Sequence, residues 1–488
     1  MSKRLIIIGG VAAGMSAAVR ARRTNPDLEI VVYEKSGYIS YGACGFPYFI
    51  KGEIPRIEDL IARTPADMAA QGICAKVHHA VTALDPARKT ARVLDRQSGV
   101  EFDDHWDRLI IAAGAYVQKP PIPGLGLAGV FTLRTVEDAL AIRDWLVGER
   151  PRRGVILGAS YTGLEMAEAL AANGIAVTLV DAAQQVMPNL DGEIAAHVRA
   201  GLEAQGVTVY LGRWVRTLLG PALADDIAHR VAARLQAPLD SVALNGDGRL
   251  RVREVVTGEG SVPADIVIVG VGGRPNVALA QTAGITIGQT GAIAVDRQQR
   301  TNLPDIWAAG AAAETWSLVT GAPTYHPGAL TANRQGRVAG ANAAGGTVEF
   351  GGVAGSSIIK AFDMTISHTG LSERQARALG LDAAGVVIRG VSKAGYMPGG
   401  APIQVKLVYE PGSGRVLGAQ IVGTDGVGKR IDVVAAALRA GWTVEELAQV
   451  DTAYSPPYGA VWDPLVAAAN EASQSRVRRP APADRQPA

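Results

Sequence analysis

Two glycine-rich turns, each set between an apolar strand and a helix, constrain this chain more than any other feature. The first is Gly9-Gly10-Val11-Ala12-Ala13-Gly14, between a strand Leu5–Ile8 and a helix Met15–Arg23, with a further strand Glu29–Tyr33 beyond. The second is Gly158-Ala159-Ser160-Tyr161-Thr162-Gly163, between Val155–Leu157 and a helix Leu164–Ala172, with Ala176–Val180 beyond. A run such as Leu5-Ile6-Ile7-Ile8 reads as a parallel strand buried on both faces. Two such units, about 150 residues apart, predict an α/β fold with two dinucleotide-type domains. The Pro/Gly-rich stretch 120–129 links them.

Neither turn is a complete G-x-G-x-x-G, because Val11 and Ser160 occupy the middle glycine positions. The first glycine, which makes the tight turn, and the last, which lets helix and strand approach, are both kept. Each turn therefore still aims a helix N-terminus at an anion such as a pyrophosphate. Glu34 and Asp181 end the following strands, about 25 and about 23 residues past the first glycine, where a carboxylate can bond a ribose 2′-hydroxyl. After Asp181 come Ala182-Ala183-Gln184-Gln185, which bring no positive charge and so favour NADH over NADPH. The plain alternative for either turn is a βα connection that binds nothing.

At 488 residues the chain has room for roughly three domains. A hydrophobic fraction of 48% with 19% charged residues excludes a disordered chain. The net charge of +2 gives no electrostatic reason to expect nucleic acid or an anionic membrane as partner. Residues 3–19 imitate the basic and apolar regions of a signal peptide, but Ala21-Arg22-Arg23 follows where a cleavage region would be. No stretch approaches the ~20 apolar residues of a membrane span. The expectation is a soluble, cytoplasmic protein.

With two cysteines, Cys44 and Cys74, neither a disulfide scaffold nor a four-cysteine metal site can form. Cys44 lies in Ser40-Tyr41-Gly42-Ala43-Cys44-Gly45-Phe46-Pro47-Tyr48, about ten residues past Glu34, within reach of whatever the first turn holds. A helix opening after this loop would favour its thiolate. The other reading is a buried structural cysteine, which is the reading given to Cys74 in Gly72-Ile73-Cys74-Ala75. Farther on, 213–244 interrupts the second domain, with helical periodicity around Asp225–Leu235 and no functional reading. Strands Ile403–Tyr409 and Val416–Val422, then a helix Lys429–Ala440, predict a third, α+β domain. The tail after Asn470 is polar and Pro-rich and reads as disordered.

These motifs, with IIAAGA (110–115), GVGGRPN (270–276), LPDIWAAG (303–310), ANRQGR (332–337), GYMPGG (395–400) and YSPPY (454–458), resemble the pyridine nucleotide–disulfide oxidoreductases over residues 3 to about 470. The chain looks most like their single-cysteine branch of CoA-disulfide reductases, NADH oxidases and NADH peroxidases. Position 49 is Phe where the two-cysteine pattern needs Cys, no His follows His368, and Ala12 and Ala13 replace the peroxidase histidine.

The resemblance implies an FAD-binding domain over 1–119 and 280–345, an NAD(P)H domain over 120–279, a dimerisation domain over 346–470 and a tail 471–488. It implies FAD contacts from Gly9, Gly10, Ala13, Gly14, Glu34, Lys35, Val81, Ala113, Gly114, Gly310 and Ala311. For NADH or NADPH it implies Gly158, Tyr161, Thr162, Gly163, Asp181 and Gly272. Cys44 would be the redox thiol, resting as a mixed disulfide with coenzyme A or, as in the oxidase branch, cycling through a sulfenic acid, with Ser40, Arg20 and Arg23 on the substrate and Tyr396 and Tyr454 reaching in from a homodimer partner. Ala43 replaces a family Asn, Gln71 and Trp462 stand where basic residues would meet CoA, and Ala311 replaces an Asp on the flavin ribityl chain. Loss of that Asp implies FAD binding weakened by about 10- to 100-fold. The implied activity is reduction of a small disulfide, foremost CoA disulfide, by NAD(P)H. A water-forming NADH oxidase, a persulfide or polysulfide reductase and, more distantly, an NADH-sensing flavoprotein are the alternatives.

Overall fold

The strand Arg4–Ile8 is apolar throughout its buried length and takes the centre of a five-stranded parallel sheet. A computed structural model, which describes residues 3–220 and 250–478, orders this sheet Ile306–Ala308, Arg108–Ile111, Arg4–Ile8, Glu29–Tyr33, Ile73–Lys76. The second unit repeats the plan as Val130–Phe131, Ile266–Val269, Arg153–Leu157, Ala176–Val180, Thr208–Tyr210, again all parallel. In both, the strand feeding the glycine turn is central, so the turn opens at the carboxyl edge of the sheet where such folds bind ligands. The helices begin at Ala12 and Tyr161, earlier than the sequence suggests. The last three residues of each turn are thus already helical.

Each unit also carries an antiparallel meander: His79–Asp85, Thr90–Asp95, Glu101–His105 in the first, and Val215–Leu219, Glu254–Thr257, Gly260–Pro263 in the second. This corrects the expectation that the interruption starts at residue 213. Val215–Leu219 pairs with Glu254–Thr257, so the additional chain begins after Leu219. The helical periodicity expected around Asp225–Leu235 lies outside the described residues.

The third unit is an antiparallel sheet ordered Ser357–Ala361, Met364–Gly370, Val416–Gly423, Pro402–Tyr409, Ala384–Val391. The helices Val427–Ala440 and Pro464–Arg478 pack on it. The second of these corrects the expected disorder after Asn470, at least through Arg478. Leu465, Ala468, Ala469 and Ala472 form a buried helical stripe, which alanine makes faint in the sequence because it contributes little apolar area. Among the described residues no helix is long and apolar enough to cross a membrane.

The helix Ala329–Ala343 crosses Ala12–Thr24 backbone to backbone. A Cβ on Gly336 or Gly340 would overlap the carbonyl oxygens of Ala13 and Ala17. The contact sets the rear wall of the first turn. Gly340→Ala should therefore lower stability by about 1–3 kcal/mol, the usual cost of overpacking. Gly148→Ala, in the helix Val136–Glu149 with open space around its Cβ, should raise it by up to ~1 kcal/mol. Thermal unfolding of both variants checks the pair, and a neutral Gly340→Ala would mean that the helices can separate freely.

Candidate active site

Both turns are built by the same contacts. Gly9 takes φ +101° and Gly158 φ +109°, where a side chain would be strained and a Cβ would overlap Ala112 or Gly270. A Cβ on Gly14 or Gly163 would overlap the carbonyl oxygen of Gly9 or Gly158. The acidic residues at the strand ends then pin the turns. Glu34 accepts from the Gly10 amide at 2.8 Å and the Ser36 amide at 2.9 Å. Asp181 accepts from the Ala159 amide at 2.6 Å and the Ala183 amide at 2.8 Å. A carboxylate has about four acceptor positions, so each retains capacity for a ribose hydroxyl. The residues present fit two dinucleotides.

A cavity of about 850 Å³ opens at the first turn. Its wall carries Gly9, Ala13, Glu34, Lys35, Ala113, Gly114 and Ala311, then Ser40 and Cys44, and Arg20, Arg23 and Arg63. That size lies within the range of sites that enclose a whole organic ligand. Gly10, Gly14 and Gly310 stand behind the wall, and Val81 is on the strand His79–Asp85, packed into the core of the first unit. Ala311 is held by its carbonyl, which accepts from the Tyr325 hydroxyl at 3.0 Å. The adjacent Gly310 amide donates to the buried Gln335 at 2.9 Å. Thr162 and Gly163 lie in the first turn of the helix Tyr161–Ala172, and Gly272 takes φ +98° just past the strand Ile266–Val269.

Cys44 sits on a single helical turn, Ala43–Gly45, that runs into the helix Phe46–Lys51. The preceding loop is anchored to the glycine turn: the Ser40 amide donates to the Gly10 carbonyl at 2.9 Å, with Ser40 at φ +52°. The thiol is free and solvent-accessible. Its acidity departs from expectation. Desolvation by the surrounding protein and the nearby Glu165 carboxylate push the thiol up, while Arg134 and a backbone hydrogen bond pull the other way. A helix of six residues at this position does not outweigh them. Cys74 also departs from its expectation as a buried residue, since it lies on the strand Ile73–Lys76 with its side chain exposed.

Glu165 was not legible as a site residue. It lies on the helix Tyr161–Ala172, among the buried Leu164, Met166 and Ala167, and burial together with the Glu168 charge pushes its carboxyl up to about 7. A carboxylate inside an apolar helix was the signal. Arg213 was missed too, because it reaches Asp181 from another segment. Its amide donates to the Asp181 carbonyl at 3.0 Å, its guanidinium lies 3.8 Å from the Tyr210 ring centroid, and it pairs with Glu259 at 2.7 Å. Arg213 thus brings a cation to the segment beside Asp181, with its charge paired to Glu259.

Tyr396 and Tyr454 come together, with the neighbouring Tyr396 hydroxyl raising the Tyr454 pKa. They are 74% and 49% exposed and lie away from the Cys44 cavity, beside the exposed Tyr458, Val461 and Trp462. Among the described residues no group of three or more His, Cys, Asp or Glu could hold a metal ion.

Comparison with known proteins places these observations. The family model for pyridine nucleotide-disulphide oxidoreductases matches residues 3–330, and that for the dimerisation domain of the same family matches 356–464. The chain is 35% identical to an NAD(P)H coenzyme A polysulfide/persulfide reductase of Pyrococcus horikoshii, over 96% of this chain and 97% of that one. It is 29% identical to a coenzyme A disulfide reductase of Staphylococcus aureus, over 93% and 96%. Among solved structures, an NAD-dependent persulfide reductase from A. fulgidus superposes with a TM-score of 0.88 at 37% identity, covering 97% of this chain and 83% of that one.

The Glu165 charge yields a direct expectation for Cys44. Above pH 7 Glu165 is mostly ionised and opposes thiolate formation, so Glu165→Gln should make Cys44 more acidic. The pH midpoint of Cys44 alkylation should fall by up to about 1 pH unit in a Cys74→Ser background. Arg134→Gln should move it upward. An unmoved midpoint in Glu165→Gln would mean that desolvation alone sets the thiol.

Proposed function

The chain belongs to the pyridine nucleotide-disulphide oxidoreductase family, and on that premise we propose that it reduces a small disulfide, foremost CoA disulfide, with NAD(P)H and FAD. The observation that carries the reading is the position of Cys44. A free, accessible thiol faces the same cavity as the first glycine turn. The other cysteine of the chain, Cys74, does not line that cavity.

Bound flavin would supply the two-electron link between the dihydronicotinamide and sulfur. In this reading the first turn and the N-terminus of Ala12–Thr24 hold its pyrophosphate, Glu34 its ribose, and Lys35, Ala113, Gly114, Gly310 and Ala311 the remainder. Residues 1–119 and 280–345 form that domain and 120–279 the NAD(P)H domain. There Gly158, Thr162, Gly163 and the backbone of Tyr161 take the pyrophosphate, Asp181 the ribose and Gly272 the nicotinamide end.

The Cys44 thiolate attacks one sulfur of the substrate disulfide, forming a Cys44 mixed disulfide and releasing one thiolate. Two electrons then cleave the mixed disulfide, and with two protons the net change is one disulfide to two thiols. Arg20, Arg23 and Ser40 on the same wall suit an anionic, polar substrate tail such as that of CoA. A persulfide reaches Cys44 by the same route, and the relatives named for persulfides support that second reading. The protein works as a cytoplasmic homodimer in which Tyr396 and Tyr454 of one subunit serve the partner's Cys44.

Cys44→Ser should keep FAD and still bleach its 450 nm band with NADH, yet lose disulfide turnover, while Cys74→Ser should change little. Undiminished disulfide reduction by Cys44→Ser would sink the mechanism. Comparing turnover with CoA disulfide, polysulfide and O₂ alone separates the acceptors.

Tyr454→Phe should slow disulfide reduction by roughly 10²-fold, the scale of one lost donor to a developing charge. Tyr396→Phe should act more mildly. When Cys44→Ser and Tyr454→Phe subunits exchange, each hybrid holds one intact site, so activity should exceed either parent. No recovery after confirmed exchange would place the tyrosine in its own subunit's chemistry or in none.

A further inference from the structure

We infer that His368, on the C-terminal sheet, is a positioning residue that holds the Tyr161 phenol withdrawn from the second glycine turn. Tyr161 is the first residue of the helix that follows this turn. Its hydroxyl is hydrogen-bonded to Nε2 of His368, and Nδ2 of Asn189 donates to the same oxygen at 2.9 Å. The Tyr161 and His368 rings lie with centroids 6.2 Å apart at a tilt of 41°. The phenol is directed toward the sheet and does not line the large cavity.

The roles in these bonds are determined by chemistry. The Asn189 amide can only donate through Nδ2, so it uses the acceptor side of the phenol oxygen. The single hydroxyl hydrogen is then free for His368. Burial and the neighbouring His326 push His368 down to about 4, so at neutral pH its imidazole is uncharged and Nε2 can accept. The partner cannot drift, because His368 is paired with Ser357 on one side and Gln420 on the other in the antiparallel ladder. Ser357, next to His368 across the ladder, also lies against the phenol, and several partners on one oxygen restrict its direction. Without His368 the ring is free to turn toward the mouth of its own turn, where the dinucleotide would enter.

The inference rests on the reading that this turn receives NAD(P)H. Neither the glycine motif nor the Cys44 chemistry requires His368, which comes from a separate part of the chain.

The test uses the FAD-loaded, full-length protein and measures NAD⁺ affinity by calorimetry. His368→Phe, close in size but unable to accept, should raise the NAD⁺ Kd and the NADH KM by about tenfold, the scale of one lost buried hydrogen bond. It should leave kcat for disulfide within about twofold, and His368→Gln, whose amide oxygen can accept, should restore much of the affinity. Tyr161→Phe should raise Kd similarly, and adding it to His368→Phe should raise Kd no further. An unchanged or tighter Kd in His368→Phe overturns the inference. A general fall in thermal stability and kcat without a change in Kd overturns it as well, since that would mark a merely structural histidine. Asp181→Ala separates the two levels: if it too leaves Kd unchanged, the assignment of the turn to NAD(P)H has failed, whereas a raised Kd there with none in His368→Phe leaves that assignment standing.

Discussion

Glu168 lies where the three units meet, and the geometry around Cys44 depends on how its charge is satisfied. Its carboxylate accepts from Lys51 at 2.8 Å, Lys360 at 2.9 Å and the Phe362 amide at 2.8 Å. Lys51 ends the helix that begins just past Cys44, Glu168 is on the second turn's helix, and Lys360 and Phe362 belong to the C-terminal sheet region. Burial opposes its ionisation, but these donors more than offset that and keep its pKa below the usual range. Removing one partner would strand a buried charge, which is far costlier than never having buried it. The ionised Glu168 in turn helps hold Glu165 protonated to higher pH, and Glu165 acts on Cys44. A structural ion cluster thus reaches the candidate nucleophile through Glu165, alongside the larger effect of desolvation.

A second clasp fastens the same interface. Lys406, 3% exposed on the C-terminal sheet, meets Asp191 at 3.1 Å and Glu373 at 2.8 Å. Gln420 bonds Asp191 as both donor and acceptor, at 2.6 and 2.7 Å. Together with the Tyr161–His368 bond, these contacts make the second glycine turn answer to the third unit as well as to its own sheet. The two units otherwise share one plan, from strand order to meander. They differ in that the first turn opens on the Cys44 cavity and the second is braced from outside.

Much of this was legible from local pattern. Glu29–Tyr33 and Ala176–Val180 have the bounds their apolar runs suggest, and Glu34 and Asp181 end those strands as expected. The Cys44 loop was visible because glycines around a lone cysteine near a dinucleotide turn are informative in one stretch of chain. The helix through Arg478 was missed because alanine gives a weak apolar signal. Arg213 and His368 were missed for another reason: each meets its partner across a distance in sequence that no spacing rule spans.

What the sequence determined by itself is the set of backbone constraints. Glycines at positive φ and apolar runs between them admit few folds, because each sets the backbone locally. Tertiary structure decided the sign and size of the charges' effects. Whether the Cys44 thiol is made more or less acidic depends on Glu165, Arg134 and the surrounding desolvation, which only the packed chain brings together. Electrostatic energy depends on separation and burial, and neither is written in the order of residues.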